Sequence, residues 1–100
     1  MAETTVRTRT IITAASTPGL PHHIKLRHDA GRGRWLVLAP ERVFEPDDIS
    51  VEILKRCDGQ TSVDTIAGVL SKEYNAPLNS ILGDTITMLQ ELSDKGVVKA

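Results

Sequence analysis

Reactive side chains are few in this chain, and none has a partner at a catalytic spacing. Cys57 is the single cysteine, and a nucleophilic thiolate needs a neighbouring base to activate it. It shares an apolar helical face with no base nearby in sequence, which favours an inert position in the core. Gly-x-Ser-x-Gly, His-Glu-x-x-His and phosphate-loop motifs do not occur. We therefore expect no catalytic residues and a protein that is not an enzyme.

Metal binding is also disfavoured by the pattern of histidines. His22 and His23 are adjacent and would point to opposite faces of a strand, and no cysteine or acidic cluster joins them or His28 to complete a ligand set. We expect neither a metal site nor a cofactor. The first residues do not form a signal peptide, and no apolar run approaches the roughly 18 to 20 residues of a membrane span. These features predict a cytoplasmic protein.

The chemistry that remains is recognition through the main chain. Trp35 to Leu38 is an apolar run that favours a strand, Ala39-Pro40-Glu41 breaks it, and a short second run follows. This pattern predicts a hairpin whose last strand leaves an unpaired edge. Such an edge is a template for an incoming extended peptide. The predicted peptide-binding residues on it are Arg42, Val43, Phe44 and Glu45.

The surrounding elements give an α+β fold. Ile24 and Leu26 alternate with charged residues and predict a first strand, so that three short strands precede the helices. A first helix runs from Ile49 towards Cys57, and Thr61 with Asp64 has the spacing of a capping box for a second. The apolar stripe of that second helix extends to Tyr74. A third helix begins with Leu78 after Pro77 and closes at Lys95-Gly96.

Residues 1–20 differ in composition from the rest of the chain. They are rich in Thr, Ala and Ser, lack periodicity and end in Ser16-Thr17-Pro18-Gly19-Leu20. This composition predicts a disordered tail or a fusion linker. We therefore place the folded domain at residues 21–100, and the composition leaves open whether Met1 is a natural start or residues 1–20 are a fusion linker.

Five short motifs occur in order between residues 21 and 99. As a set they resemble the D protein family of pyrroloquinoline quinone (PQQ) biosynthesis, PqqD, although no single motif is specific. The motifs are Arg32-Gly33-x-Trp35, Ala39-Pro40-Glu41-Arg42-Val43, Ile53-Leu54 with Cys57-Asp58-Gly59, Tyr74-x-Ala76-Pro77 and Leu92-x-x-Lys95-Gly96.

The resemblance implies a winged-helix-like domain with a three-stranded antiparallel sheet followed by a three-helix bundle. It also implies a peptide chaperone, of the kind called a recognition element for ribosomally made, modified peptides (RiPPs). Such a protein binds the precursor peptide, PqqA, and presents it to the radical S-adenosylmethionine (SAM) enzyme, PqqE, that crosslinks it. Some family members are fused to the oxidase of the pathway, to which residues 1–20 could be a linker. We expect a monomer when no peptide is bound.

In a family-like topology the peptide lies between the third strand and the third helix. On the helix side the candidate contacts are Ile81, Thr85 and Met88, each of which is also compatible with a core position. Arg32, Gly33 and Trp35 are candidates for docking the crosslinking enzyme. Equally, Gly33 could serve a turn, Trp35 could pack on the sheet, and Arg32 could be solvated.

A DNA-binding winged helix is the alternative function. Residues 1–44 carry seven basic and three acidic side chains, a balance of +4, whereas residues 45–100 carry five basic and ten acidic, a balance of −5. Between Thr61 and Lys95 two lysines face five carboxylates, a balance of −3. Because a recognition helix must approach phosphates, this acidic half argues against nucleic acid. Only the basic loop at Arg32 to Arg34 could contact phosphate, as the wing of a DNA-binding winged helix does.

Overall fold

Three strands precede three helices, which confirms the predicted α+β, winged-helix-like architecture. The structure, a computed structural model, describes residues 10–100. The elements are β1 (Lys25–Asp29), β2 (Arg34–Ala39), β3 (Arg42–Phe44), α1 (Asp48–Lys55), α2 (Val63–Glu73) and α3 (Leu78–Asp94).

The strands form one antiparallel sheet in the order β1-β2-β3. Gly33 closes the first hairpin with a positive φ of 66°, and its N–H donates to the carbonyl of Asp29 at 2.8 Å. This geometry agrees with the interpretation of Gly33 as a turn residue. Pro40 and Glu41 make the second turn, where Glu41 has a φ of 62°. The register then pairs Ala39 with Arg42 and places β3 at one edge of the sheet.

The helices begin and end at short polar caps. Asp47 accepts a hydrogen bond from the Ser50 N–H at 2.9 Å and caps α1. At α2 the predicted cap, Thr61, is wrong: Ser62 caps the helix by accepting from the Thr65 N–H at 3.1 Å. Thr61 donates its side-chain hydroxyl to Asp58 instead. The end of α3 is as predicted, with Gly96 at a φ of 78°.

One core lies between the helices and the inner face of the sheet. Val63, Ile66, Leu70 and Leu89 are fully buried where α2 packs on α3, and Val37 of β2 joins the same cluster. The predicted apolar stripes were too long at their ends. Tyr74 is 48 % exposed and Leu78 is 43 % exposed, because the first lies beyond the last turn of α2 and the second begins α3. In these two places the sequence predictions were wrong.

Residues 10–20 are packed against the domain, which corrects the prediction of a disordered tail for this part. Ile12 is 3 % exposed, and its N–H donates to the Gln90 side chain on α3 at 2.9 Å. The carbonyl of Ser16 accepts from the Val63 N–H at the start of α2 at 2.8 Å. Gly19 forms isolated bridges with both Asp58 and Lys99. The segment thus supplies main-chain partners that the helix terminus lacks. The earlier part of the predicted tail, residues 1–9, lies outside the described residues.

Candidate peptide-binding groove

The outer edge of β3 is free of main-chain partners within residues 10–100. β3 pairs with β2 on one side only. Ala39 and Arg42 flank the two-residue turn and form a hydrogen-bonded pair. In an antiparallel sheet, hydrogen-bonded and non-hydrogen-bonded pairs alternate along the strand, so the N–H and C=O of Val43, the next residue, point outwards. An extended peptide placed beside β3 would meet these groups.

Side chains on β3 alternate between the two faces of the sheet. Phe44 pairs with buried Val37 and faces the helices, whereas Val43 pairs with Leu38 on the other face and is 64 % exposed. Both residues were predicted to contact the peptide. The structure brings only the Phe44 side chain towards α3, so that Val43 is positioned to contribute through its main chain.

Phe44 lines a cavity of about 200 Å³ between β3 and α3. Most of the wall is apolar and is formed by Val37, Phe44, Pro46, Leu54, Met88 and Leu92. Glu45, Ser50 and Glu91 also line the cavity. Apolar walls beside an unpaired edge are the arrangement that binds an added strand, because main-chain bonds give affinity and pockets select alternate side chains.

A second cavity, of about 280 Å³, continues the first between α1 and α3. The predicted residues Ile81, Thr85 and Met88 all line it, and Met88 lines both cavities. Thr85 is 1 % exposed, and its hydroxyl has no hydrogen-bond partner within residues 10–100. All three residues predicted on the third helix therefore lie on one groove. We call the two cavities together with the outer edge of β3 the β3–α3 groove.

Cations surround the aromatic ring at the β3 end of the groove. The guanidinium carbon of Arg42 lies 5.2 Å from the centre of the Phe44 ring, and the Lys95 ammonium lies 5.9 Å from it. Arg42 also donates to the carbonyl of Lys95 at the end of α3, at 3.1 Å. Glu45, the last predicted residue on this edge, forms an ion pair with Arg34 at 2.8 Å.

The predicted docking residues lie on a different part of the molecule. Arg32 and Gly33 are exposed in the turn between β1 and β2. Trp35 is half-buried, 5.0 Å from the His28 ring, with the Lys55 ammonium 4.7 Å from its own ring centre. The structure thus shows the packing interpretation for Trp35, and docking at this turn stays a prediction.

The reactive residues do not form a site. Cys57 is buried and donates its thiol to the Ile53 carbonyl at 3.2 Å, and burial raises the pKa of Cys57 to about 12. A thiol with this pKa is protonated at neutral pH and is a poor nucleophile. No group of three potential metal ligands occurs in residues 10–100. Nor is any helix in that range long and apolar enough to cross a membrane.

The match to known proteins decides the family. Residues 34–98 match the family of Coenzyme PQQ synthesis protein D (PqqD). The chain belongs to the PqqD family. A PqqA binding protein from Rhodopseudomonas palustris strain BisB5 is 53% identical over 85 residues, which are 85% of this chain and 83% of that protein. A PqqA binding protein from Xanthomonas euvesicatoria is 39% identical over 88 residues, which are 88% of this chain and 96% of that one.

Two solved PqqD structures share the fold. One is the NMR structure of the PqqD truncation of Methylobacterium extorquens PqqCD, described as a functional and stand-alone RiPP recognition element. It is 37% identical with a TM-score of 0.78 and covers 89% of this chain and 95% of its own. The crystal structure of PqqD from Xanthomonas campestris is 37% identical with a TM-score of 0.58, over 89% and 99%.

Some groove residues were not among those predicted from the sequence. Leu54 and Leu92 were assigned to apolar helical faces, yet both line the cavity beside Phe44. Asp47 and Asp84 line the cavity between α1 and α3. The one signal for Asp84 was its position on α3, one residue before Thr85 and four before Met88, since residues three to four apart share a helical face.

Proposed function

We propose that this PqqD-family protein is a non-catalytic peptide chaperone of PQQ biosynthesis that binds the precursor peptide, PqqA, by strand addition. The observation that carries the proposal is the unpaired edge of β3 beside an apolar groove lined by Phe44 and Met88. Relatives up to 53% identical bear the name PqqA binding protein. The absence of a reactive site in residues 10–100 is compatible with a binding role. The proposed peptide contacts are Arg42, Val43, Phe44, Glu45, Ile81, Thr85 and Met88.

The bound peptide would lie along β3 and present its far end to a partner enzyme. We propose that the radical SAM enzyme PqqE receives it and docks at Arg32 and Gly33, on the turn between β1 and β2, and at Trp35, near the start of β2. That turn is formed by different residues from the groove, so that peptide and enzyme would bind together. A fusion to the oxidase of the pathway is also part of the proposal, and the Methylobacterium extorquens relative is a truncation of a longer protein, PqqCD.

An amide NMR titration of the labelled protein with synthetic PqqA peptide from Rhodopseudomonas palustris tests the proposal. Saturable shifts at residues 42–45 and at the groove side of α3 are expected, because these main-chain and side-chain groups would contact the peptide. Unshifted amides in the folded protein at millimolar peptide would contradict peptide binding. Shifts confined to the outer face of the sheet would place the site elsewhere.

Adding PqqE to the saturated complex tests the second half of the proposal. Broadening or shifts at Arg32, Gly33 and Trp35, with the groove signals kept in their bound positions, are the expected result. Release of the peptide signals instead would mean that enzyme and peptide compete for one surface. A duplex DNA added at low salt should leave the spectrum unchanged, because α2 and α3 carry a net negative charge.

A further inference from the structure

The cavity between α1 and α3 has a different chemistry from the rest of the β3–α3 groove. Its walls are apolar, formed by Ile49, Ile53, Ile81 and Met88, but Asp47 and Asp84 also line it. Among residues 10–100, no basic side chain lines it. The cavity of about 280 Å³ is smaller than the roughly 300–1,000 Å³ of drug-sized ligand sites, which suits a single long side chain.

Two groups beside this cavity have no protein partner within residues 10–100. Asp84 is exposed and hydrated, and its carboxylate forms no hydrogen bond or ion pair with those residues. The Thr85 hydroxyl is buried without a hydrogen-bond partner in the same range. Buried polar groups in folded proteins are nearly always hydrogen-bonded, so an orphaned hydroxyl on a cavity wall indicates a missing partner.

The opposite end of the groove carries charges of both signs. Arg42 and Lys95 lie 5.2 and 5.9 Å from the Phe44 ring centre, whereas Glu45 and Glu91 line the cavity itself. Asp84 and Lys95 are eleven residues apart on one helix, which corresponds to roughly 16 Å at about 1.5 Å per residue. A peptide strand rising about 3.3 Å per residue would cross that distance in roughly five residues.

We infer that the cavity between α1 and α3 takes a basic side chain of the bound peptide. The inference rests on the proposed function. The aliphatic stem of a lysine or arginine lies against Ile53, Ile81 and Met88, and its charged head reaches Asp47 and Asp84. The Thr85 hydroxyl is closed off from solvent, so it accepts a further hydrogen bond from the head group only after its side chain turns into the cavity.

Binding of fluorescently labelled PqqA peptide from Rhodopseudomonas palustris is the test, with each basic residue of the peptide replaced in turn by norleucine. One replacement should lower the affinity for the native protein by three- to tenfold. The same replacement should have less than a twofold effect on the double variant Asp47→Asn with Asp84→Asn. Asparagine keeps the cap of α1, so that the fold is preserved. Asp64→Asn on α2 is the matched control, because it removes a carboxylate outside both cavities and should leave the replacement effect unchanged.

Each result decides a different part of the argument. If PqqA binds and no basic residue shows coupling to Asp47 and Asp84, the inference about the cavity is overturned while the proposed function stands. If the native protein does not bind PqqA at all, the proposed function fails and the inference fails with it. A coupling that Asp64→Asn abolishes equally would show a general charge effect and would also overturn the site.

Discussion

The two faces of α3 are packed in opposite ways. Leu89 is fully buried in the core beside Ile66 and Leu70 of α2, whereas Met88, one residue earlier, borders two cavities. The contact with α2 is closed and apolar, while the contact with α1 and β3 leaves space and includes the unpartnered Thr85 hydroxyl. One helix therefore carries a face that holds the domain together and a face that is available to a ligand. Changes on the first should alter stability, and changes on the second should alter binding.

The largest effect on stability is expected from the face of α3 that packs on α2. Leu89→Ala leaves a cavity where α3 meets α2 and should lower the free energy of unfolding by roughly 2–5 kcal/mol. Urea unfolding followed by circular dichroism measures this change. Leu78→Ala on the same helix is the control and should cost under about 1 kcal/mol, because Leu78 is already 43 % exposed. Equal losses would mean that the two faces are not distinct.

In the β3–α3 groove, the strongest effect on peptide binding should come from Phe44. Phe44→Asp places a carboxylate among the apolar walls and should weaken PqqA binding by roughly 30-fold, or about 2 kcal/mol. Titration of labelled peptide measures the affinity, and circular dichroism checks that the helices remain. Phe44→Leu should retain most of the affinity, since it keeps an apolar group in the cavity. Undiminished binding by a folded Phe44→Asp protein would contradict the groove.

A main-chain test separates the edge of β3 from its side chains. Val43→Pro removes the outward N–H and should weaken peptide binding about tenfold. Val43→Ala should bind like the native protein, because the valine side chain lies on the far face of the sheet. Isothermal titration of both variants provides the comparison. If Val43→Ala loses as much affinity as Val43→Pro, the peptide contacts the outer face rather than the edge.

Thr85 should show stability and binding moving in opposite directions. Thr85→Val removes a buried hydroxyl that has no partner within residues 10–100 and should raise the free energy of unfolding by about 1 kcal/mol. Affinity for PqqA should fall two- to fivefold, because the hydroxyl is part of the proposed site. Thermal unfolding and peptide titration of one preparation measure both quantities. A loss of stability would show that the hydroxyl has a partner in solution.

The smallest effect is a pH dependence at the start of α1. Hydrogen bonds from Ser50 lower the pKa of Asp47 in the folded protein. Because the unfolded chain then binds a proton more readily, this contribution to stability is present above about pH 4 and is lost as the pH falls through the folded pKa. Urea unfolding between about pH 5 and pH 2.5 should show a shallower decline for Asp47→Asn. An identical decline would assign the acid sensitivity to other carboxyls.

The sequence predicted the hairpin and the helices because these depend on local patterns. Pro40, Gly33 and Gly96 mark chain reversals or ends that any fold containing them must respect. The position of the groove followed from the resemblance to PqqD together with the alternation of apolar residues on β3 and α3. Period-two alternation also implies that Val43 and Phe44 face opposite sides, a consequence that the sequence prediction did not apply.

Features that depend on distant residues were not predictable. The N–H of Ile12 donates to the side chain of Gln90, 78 residues away, and no local sequence pattern predicts that hydrogen bond. Ser62 and Thr61 are adjacent hydroxyl residues with similar cap preferences, so that tertiary context decided between them. The two carboxylates that line the cavity between α1 and α3 come from different elements. Asp47 ends the loop before α1, and Asp84 lies in the middle of α3. Their proximity became visible only once α1 was placed against α3.

The length of β3 also bears on how fast a bound peptide would dissociate. Because the strand has three residues, it offers an incoming peptide few outward main-chain groups. Few main-chain hydrogen bonds must therefore break when the peptide dissociates. Differences in affinity between related complexes lie mostly in the dissociation rate. A short edge therefore favours rapid exchange over long residence, which suits the proposed transfer of the peptide to an enzyme.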